Sequence, residues 1–201
     1  MAEEKNTNKI IGLVLVVIIL IAIFTIINVN LPEEVKNNEE IINDENELIF
    51  SFKFGNEITN YSIQDLETLE EFSGQGTIIK TGWLPDVVLE GPFNLSGIKV
   101  TTILNEFDNL PYNFTIKVHS SDGWTTDYNQ STIMGKISIY NDSGNITQTG
   151  GVTMILAYKQ DGVYIKDTND GPLRIAFVDD GKITSSKLWA KMVVSFELIE
   201  Q

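Results

Sequence analysis

Residues 10–29, IIGLVLVVIILIAIFTIINV, form a run of 20 residues with no charge and Asn28 as its only amide. No other feature constrains the chain as strongly. A helix rises about 1.5 Å per residue, so this run reaches across roughly 30 Å of hydrocarbon. It is too long and too uniformly apolar to be a buried helix of a small domain, which would keep a polar face. A cleavable signal peptide has a shorter apolar core of about 7–15 residues and ends in small residues. This run ends TIINVN, without an A-x-A-like cleavage site. The expectation is one transmembrane helix that stays on the chain as an anchor.

The flanks orient that anchor. Lys5 and Lys9 precede it, whereas residues 30–49 hold only Lys36 among seven acidic side chains. By the positive-inside rule residues 1–9 are expected in the cytoplasm, and everything after the anchor outside. The expected layout is a cytoplasmic N-terminus (1–9), a transmembrane anchor (10–29), an acidic linker (30–46) and an extracytoplasmic domain (47–201), in a single-pass protein of the cell membrane. Six N-x-Ser/Thr sequons agree with an exterior domain: Asn60, Asn94, Asn113, Asn129, Asn141 and Asn145. These are the candidate glycosylation sites.

The net charge of −14 falls entirely after the anchor, because residues 1–29 carry two lysines and two glutamates. Nucleic acid and anionic lipid surfaces both need a basic face, so both are poor partners and no nucleic acid is expected. The partners left are the membrane, through the helix, and a small ligand or a protein. There is no cysteine, which rules out disulfides, thiolate metal sites and cysteine nucleophiles together.

The linker, LPEEVKNNEEIINDENE, is polar and acidic. Globular patterning begins with LIFSFKFG, where Phe50, Phe52 and Phe54 alternate with Ser51 and Lys53 as in a half-buried strand. In NYSIQDLETLEEF, Ser62 is placed to cap a helix with Asp65 three residues on, and Ile63, Leu66 and Leu69 repeat at helical spacing. A strand is expected at GTIIKTGW, a helix in IKVTTILNEF with Val100, Ile103, Leu104 and Phe107 on one face, and a strand in NFTIKVHSSDGW with His119 outward. GVTMILAYKQDGVYI reads as two strands around a Gln-Asp-Gly turn, GPLRIAFVDDGK as the same design with Asp-Asp-Gly, and VVSFELIE as a closing strand. The sum is seven or eight strands with two or three short helices, an α+β domain dominated by β structure.

Four residues stand out as candidates for a ligand groove. His119 lacks a nucleophile and an orienting acid in its sequence neighbourhood, so it reads as an ordinary solvent-facing histidine rather than a general base. Asp122, Gly123 and Trp124 form a tight-turn signature whose tryptophan either caps the core or lines a groove. Arg174 is the only arginine in the chain. If the domain binds a ligand, the rim of His119, Asp122 and Trp124, with Trp83, is the expected place. DTNDG, residues 167–171, lacks the spacing and distal glutamate of a calcium loop and reads as a turn. No catalytic residue and no metal ligand is expected.

Several stretches in order, YSIQDLETL, GWLPDVVLEGPFNLSGIKVTTILNEF, VHSSDGWTTDY, MILAYKQDGVYI, GPLRIAF and KLWAKMVVSFELI, resemble the oxidoreductase molybdopterin-binding domain family. The resemblance spans residues 56–201 and implies a sulfite-oxidase-type fold. It makes Gly171, Pro172 and Arg174 a scaffold signature: a Gly-Pro turn aims the strand, and the arginine ties two loops through bidentate bonds to a carboxylate or backbone carbonyls. Catalytic members of that family hold molybdenum through a pterin dithiolene and one protein cysteine. Here an ungapped alignment of TIIKTGW places Ile79 at that position, and an apolar side chain donates no thiolate.

One arginine and one histidine in so acidic a chain also make a poor anion cradle. No cofactor is therefore expected, and molybdopterin enters only through the resemblance. The leading expectation is a non-catalytic binding or interaction module at the cell surface, fitting an archaeal glycoprotein by its Ile-, Asn- and Lys-rich composition and its sequons. Two other readings stay open. One is a molybdopterin-binding oxidoreductase or redox subunit whose metal is completed by a non-cysteine group or a partner chain; the other is a structural cell-envelope protein.

Overall fold

The computed structural model describes residues 47–80 and 87–201. The anchor, the linker and Trp83 lie outside the described residues. The described residues belong to one compact unit.

β structure dominates it. The strands are β1 (Leu48–Phe54), β2 (Glu57–Ser62), β3 (Glu71–Lys80), β4 (Val88–Lys99), β5 (Phe114–Ser120), β6 (Thr125–Asn129), β7 (Ser138–Tyr140), β8 (Ile146–Thr149), β9 (Thr153–Gln160), β10 (Val163–Tyr164), β11 (Arg174–Val178), β12 (Ile183–Ser185) and β13 (Val193–Glu200). Three short helices interrupt them: α1 (Ile63–Thr68), α2 (Val100–Leu104) and α3 (Gln130–Ile133).

The first sheet has the order β2-β1-β13-β5-β6, with β1 and β13 parallel and the other neighbours antiparallel. The alternation read in the sequence sets its two faces. Phe50, Phe52, Ile116, Val118, Phe196 and Leu198 point into the core, while Ser51, Lys53, Lys117, His119 and Glu197 stand on the outer face. The second sheet runs β10-β9-β4-β3-β12-β7-β8, and β11 pairs along β9 beyond the reach of β10. Strands β9 and β11 are almost wholly buried, hence the uninterrupted apolar runs MILAY and IAFV. Burying one such large side chain stabilises the fold by about 1.5–3 kcal/mol.

The start of α1 follows the expected capping box. Ser62 Oγ accepts from Asp65 N at 3.2 Å, and Asp65 Oδ2 accepts from Ser62 N at 2.8 Å, so two otherwise orphaned amides are satisfied.

Four expectations need correction. The strands number thirteen among the described residues, because 88–99 forms a full twelve-residue strand and 125–149 contributes three more. The helix after β4 is only five residues long, and Phe107 lies beyond it against the core. β11 and β12 are not a hairpin despite the Asp-Asp-Gly turn: β11 joins β9, whereas β12 inserts between β3 and β7. Finally, Gly171 is needed for space. A Cβ there would sit 2.5 Å from Ile165 O and 2.7 Å from Lys166 Cα, so only glycine lets the two backbones pass.

Candidate functional site

The candidate residues fall in two places. His119, Asp122 and Trp124 share the β5–β6 hairpin, while Arg174 opens β11 in the other sheet. Among the described residues, no hydrogen bond, ion pair or ring contact joins Arg174 to that hairpin.

The hairpin tip is built for rigidity. Gly123 adopts φ +87°, which closes the turn, and its N–H donates to Ser120 O at 3.0 Å. Asp122 Oδ1 accepts from Trp124 N at 3.0 Å, fixing the backbone on either side of the glycine. The Trp124 indole N–H donates to Thr126 Oγ1 at 3.2 Å, so the ring is held although it is 68% exposed. Ser120 Oγ and Ser121 N donate to Lys191 O at 2.6 Å and Met192 O at 2.8 Å, which locks the hairpin against the segment entering β13. An exposed indole held this way presents a large apolar face at little entropic cost on binding.

His119 faces outward from β5, as its alternation requires. Its Nε2 lies 3.5 Å from Glu197 Oε2, and Glu197 also accepts from Lys53 Nζ at 2.8 Å. The Lys53 hydrogen bond leads in holding the Glu197 carboxyl below the usual range. The trio is a solvent-facing polar cluster on a sheet face, and among the described residues no hydroxyl is bonded to the imidazole.

Arg174 is only 2% exposed. Nη1 donates to Gln160 Oε1 at 2.5 Å, and Nε has no partner among the described residues. The guanidinium carbon lies 5.0 Å from the Trp189 ring centre and 5.8 Å from that of Phe93. Burial pulls its pKa below the ordinary value, against Asp170 and Glu90, which act the other way from a distance. The expected bidentate tie to a carboxylate or to carbonyls is therefore replaced by one amide oxygen and two aromatic faces. Cation–π contact supplies part of what a carboxylate would have supplied. The sequence reading missed Gln160, Phe93 and Trp189 as partners. The signal for Trp189 was its place downstream of the Gly-Pro-x-Arg motif, but no spacing rule brings it to the arginine.

A hollow of about 430 Å³ adjoins this centre, lined by Gln160, Val163, Ile165, Thr168, Asn169 and Asp170. A second, of about 530 Å³, is lined by Ser73, Gln75, Asn94, Ser96 and Asp180 among others. Neither includes Trp124 or His119. Ile79, the position aligned with the family's metal-binding cysteine, is buried to 1% within β3. A hydrocarbon side chain offers no ligand atom, so Ile79 does not fit the metal-ligand role that the resemblance would give this position.

No protein-family model matches the chain, and no curated protein matches it.

Proposed function

We propose that the chain is a membrane-anchored, outward-facing binding module without redox catalysis, its domain a member of the sulfite-oxidase-type fold that has lost molybdenum ligation. The observation that carries the binding role is Trp124, a large apolar surface held in place by Asp122 and Thr126 yet left in solvent. Tryptophan is enriched in binding hot spots, and a ring already held in one orientation loses little freedom when a partner covers it. Apolar Ile79 at the expected ligand position supports the loss of metal chemistry. The apolar run, the lysine flank and the sequons support the anchor and its orientation.

A structural envelope protein is the second reading, favoured by the burial of Arg174 against Phe93 and Trp189, which makes the scaffold motif part of the core packing.

Elemental analysis with pterin fluorescence on the full chain from its native host tests the first part. Neither molybdenum nor pterin is expected, and a stoichiometric amount of either returns the redox reading. A photo-crosslinking amino acid at exposed position 125, beside an intact Trp124, tests the second in intact cells. A discrete adduct that is absent from position 163, also exposed, is expected; equal labelling at both leaves the envelope reading.

A further inference from the structure

A sheet margin exposes unpaired N–H and C=O groups that template pairing with another chain, and natural proteins blunt such margins with charge, proline, bulges or cover. Here β2, β6 and β8 each pair on one side only. The remaining margin is protected: β11 is buried and Ile175 N donates to Ala190 O at 2.8 Å, while β10 is two residues long. β8 is the least protected. Its sequence ITQT has no charge and no proline, all of it is exposed, and Ile146 is 61% exposed. Its only device is the register shift opposite Ile139 and Tyr140. β2 and β6 carry one acid each, Glu57 and Asp127.

Each of these three strands also carries a sequon. Asn60 lies within β2, Asn129 is the last residue of β6, and Asn145 immediately precedes β8. All three are exposed. Among the described residues, none of the three uses its carboxamide nitrogen as a donor. Asn129 caps α3 through Oδ1 alone, accepting from Thr132 N at 2.9 Å and Thr132 Oγ1 at 3.1 Å. Asn94, by contrast, sits on interior strand β4, where Nδ2 donates to Asp161 Oδ1 at 3.1 Å and Oδ1 accepts from Gln75 Nε2 at 3.1 Å. Asn113 directly precedes β5 and Asn141 directly follows β7, both of which are paired on two sides, so neither sits on an open margin.

We infer that N-linked oligosaccharides on Asn60, Asn129 and Asn145 guard the three open sheet margins against pairing with a second copy of the chain. The inference rests on the outward placement proposed above. The modification joins Nδ2 of each asparagine to the anomeric carbon of a lipid-pyrophosphate-linked sugar. The anomeric C–O bond breaks, the lipid pyrophosphate leaves with its electron pair, and the amide gives up one proton. A hydrated glycan at these positions blocks the approach of another strand without touching the core, and on Asn129 it leaves the Oδ1 cap intact.

The test begins with glycopeptide mass spectrometry of the full chain from its native host, alongside protease digestion of intact cells. Occupancy at positions 60, 129 and 145 is expected. If the domain is digested from outside but these three are bare, the glycan inference fails while the outward placement stands. If the domain is protected, the placement itself fails and takes the inference with it. The triple variant Asn60→Gln, Ser131→Ala, Asn145→Gln removes all three sequons and keeps Asn129 as the cap. It is expected to show a roughly twofold or larger rise in molar mass over the native chain by sedimentation in density-matched detergent. Enzymatic removal of the glycans from folded native chain is expected to do the same, which separates association from any folding defect. Unchanged mass in both preparations overturns the guarding role.

Discussion

The guanidinium carbon of Arg174 lies 5.0 Å from the ring centre of Trp189, and the indole N–H of that same tryptophan donates to Thr184 Oγ1 at 2.9 Å. The chain's one arginine is thus positioned by an aromatic ring that is itself anchored to β12. Gly76 completes the arrangement: a Cβ there would meet Trp189 Cη2 at 2.5 Å, so β3 makes room for the indole. Arginine fits this centre because its planar cation stacks while one edge bonds Gln160; a lysine ammonium is a compact, strongly hydrated charge that does neither as well.

Arg174→Lys is expected to destabilise the domain by about 2–4 kcal/mol, because it leaves a poorly paired ammonium where water is excluded. Arg174→Met, which removes the charge and keeps much of the volume, is expected to cost less. Chemical denaturation of the two variants gives the order, and a more stable Lys variant contradicts this account of the site.

Thr184→Val keeps the side-chain shape but removes the acceptor for the buried Trp189 indole. A loss of about 1–3 kcal/mol is expected, the ordinary cost of a stranded buried donor. Thermal unfolding followed by near-UV circular dichroism reads it, since the Trp189 environment changes at the same time.

Ser62→Ala removes one half of the capping box and is expected to cost about 1 kcal/mol. The other half is pH-dependent. Hydrogen bonds from the backbone and then the side chain of Ser62 hold the Asp65 carboxyl below its usual value. A depressed carboxylate contributes stability that is fully present above the unfolded value, about 3.9, and is withdrawn as pH falls through the lower native one. The stability difference between native chain and Asp65→Asn is therefore expected to shrink as pH falls below the unfolded value. A constant difference from pH 7 to pH 2 counts against the box.

Trp124→Ala is expected to change stability by no more than about 0.5 kcal/mol, because the ring buries little surface. The crosslinked species formed at this hairpin is expected to disappear in a chain that carries Trp124→Ala beside the photo-reactive group at position 125. Parallel denaturation and crosslinking separate the two effects.

The fold was legible where periodicity and local chemistry coincide. Phe50, Phe52 and Phe54 announced β1, Ser62 with Asp65 announced the start of α1, and Phe114, Ile116 and Val118 put His119 on the outer face of β5. It was not legible at β11 and β12, because Asp-Asp-Gly is a valid local turn in either topology and the choice depends on which strand edges stand open elsewhere. The candidate site was half legible. Asp122-Gly123-Trp124 is local in sequence, so its turn followed from residue types, whereas whether the indole turns inward or outward depends on how the hairpin seats on Lys191 and Met192.

By itself the sequence determined a long apolar run fit for a membrane, an acidic and cysteine-free domain after it, the alternation that assigns each strand its inner face, and a set of sequons. These are properties of residue type and short spacing, and they need no knowledge of distant contacts. Tertiary structure alone decided that Gln160, Phe93 and Trp189 gather around Arg174, and that three of the sequons fall on open sheet margins. The reason is physical: a ring contact across 81 residues or a free strand edge exists only after the sheets have assembled, when burial and pairing far along the chain fix which groups meet and which remain in water.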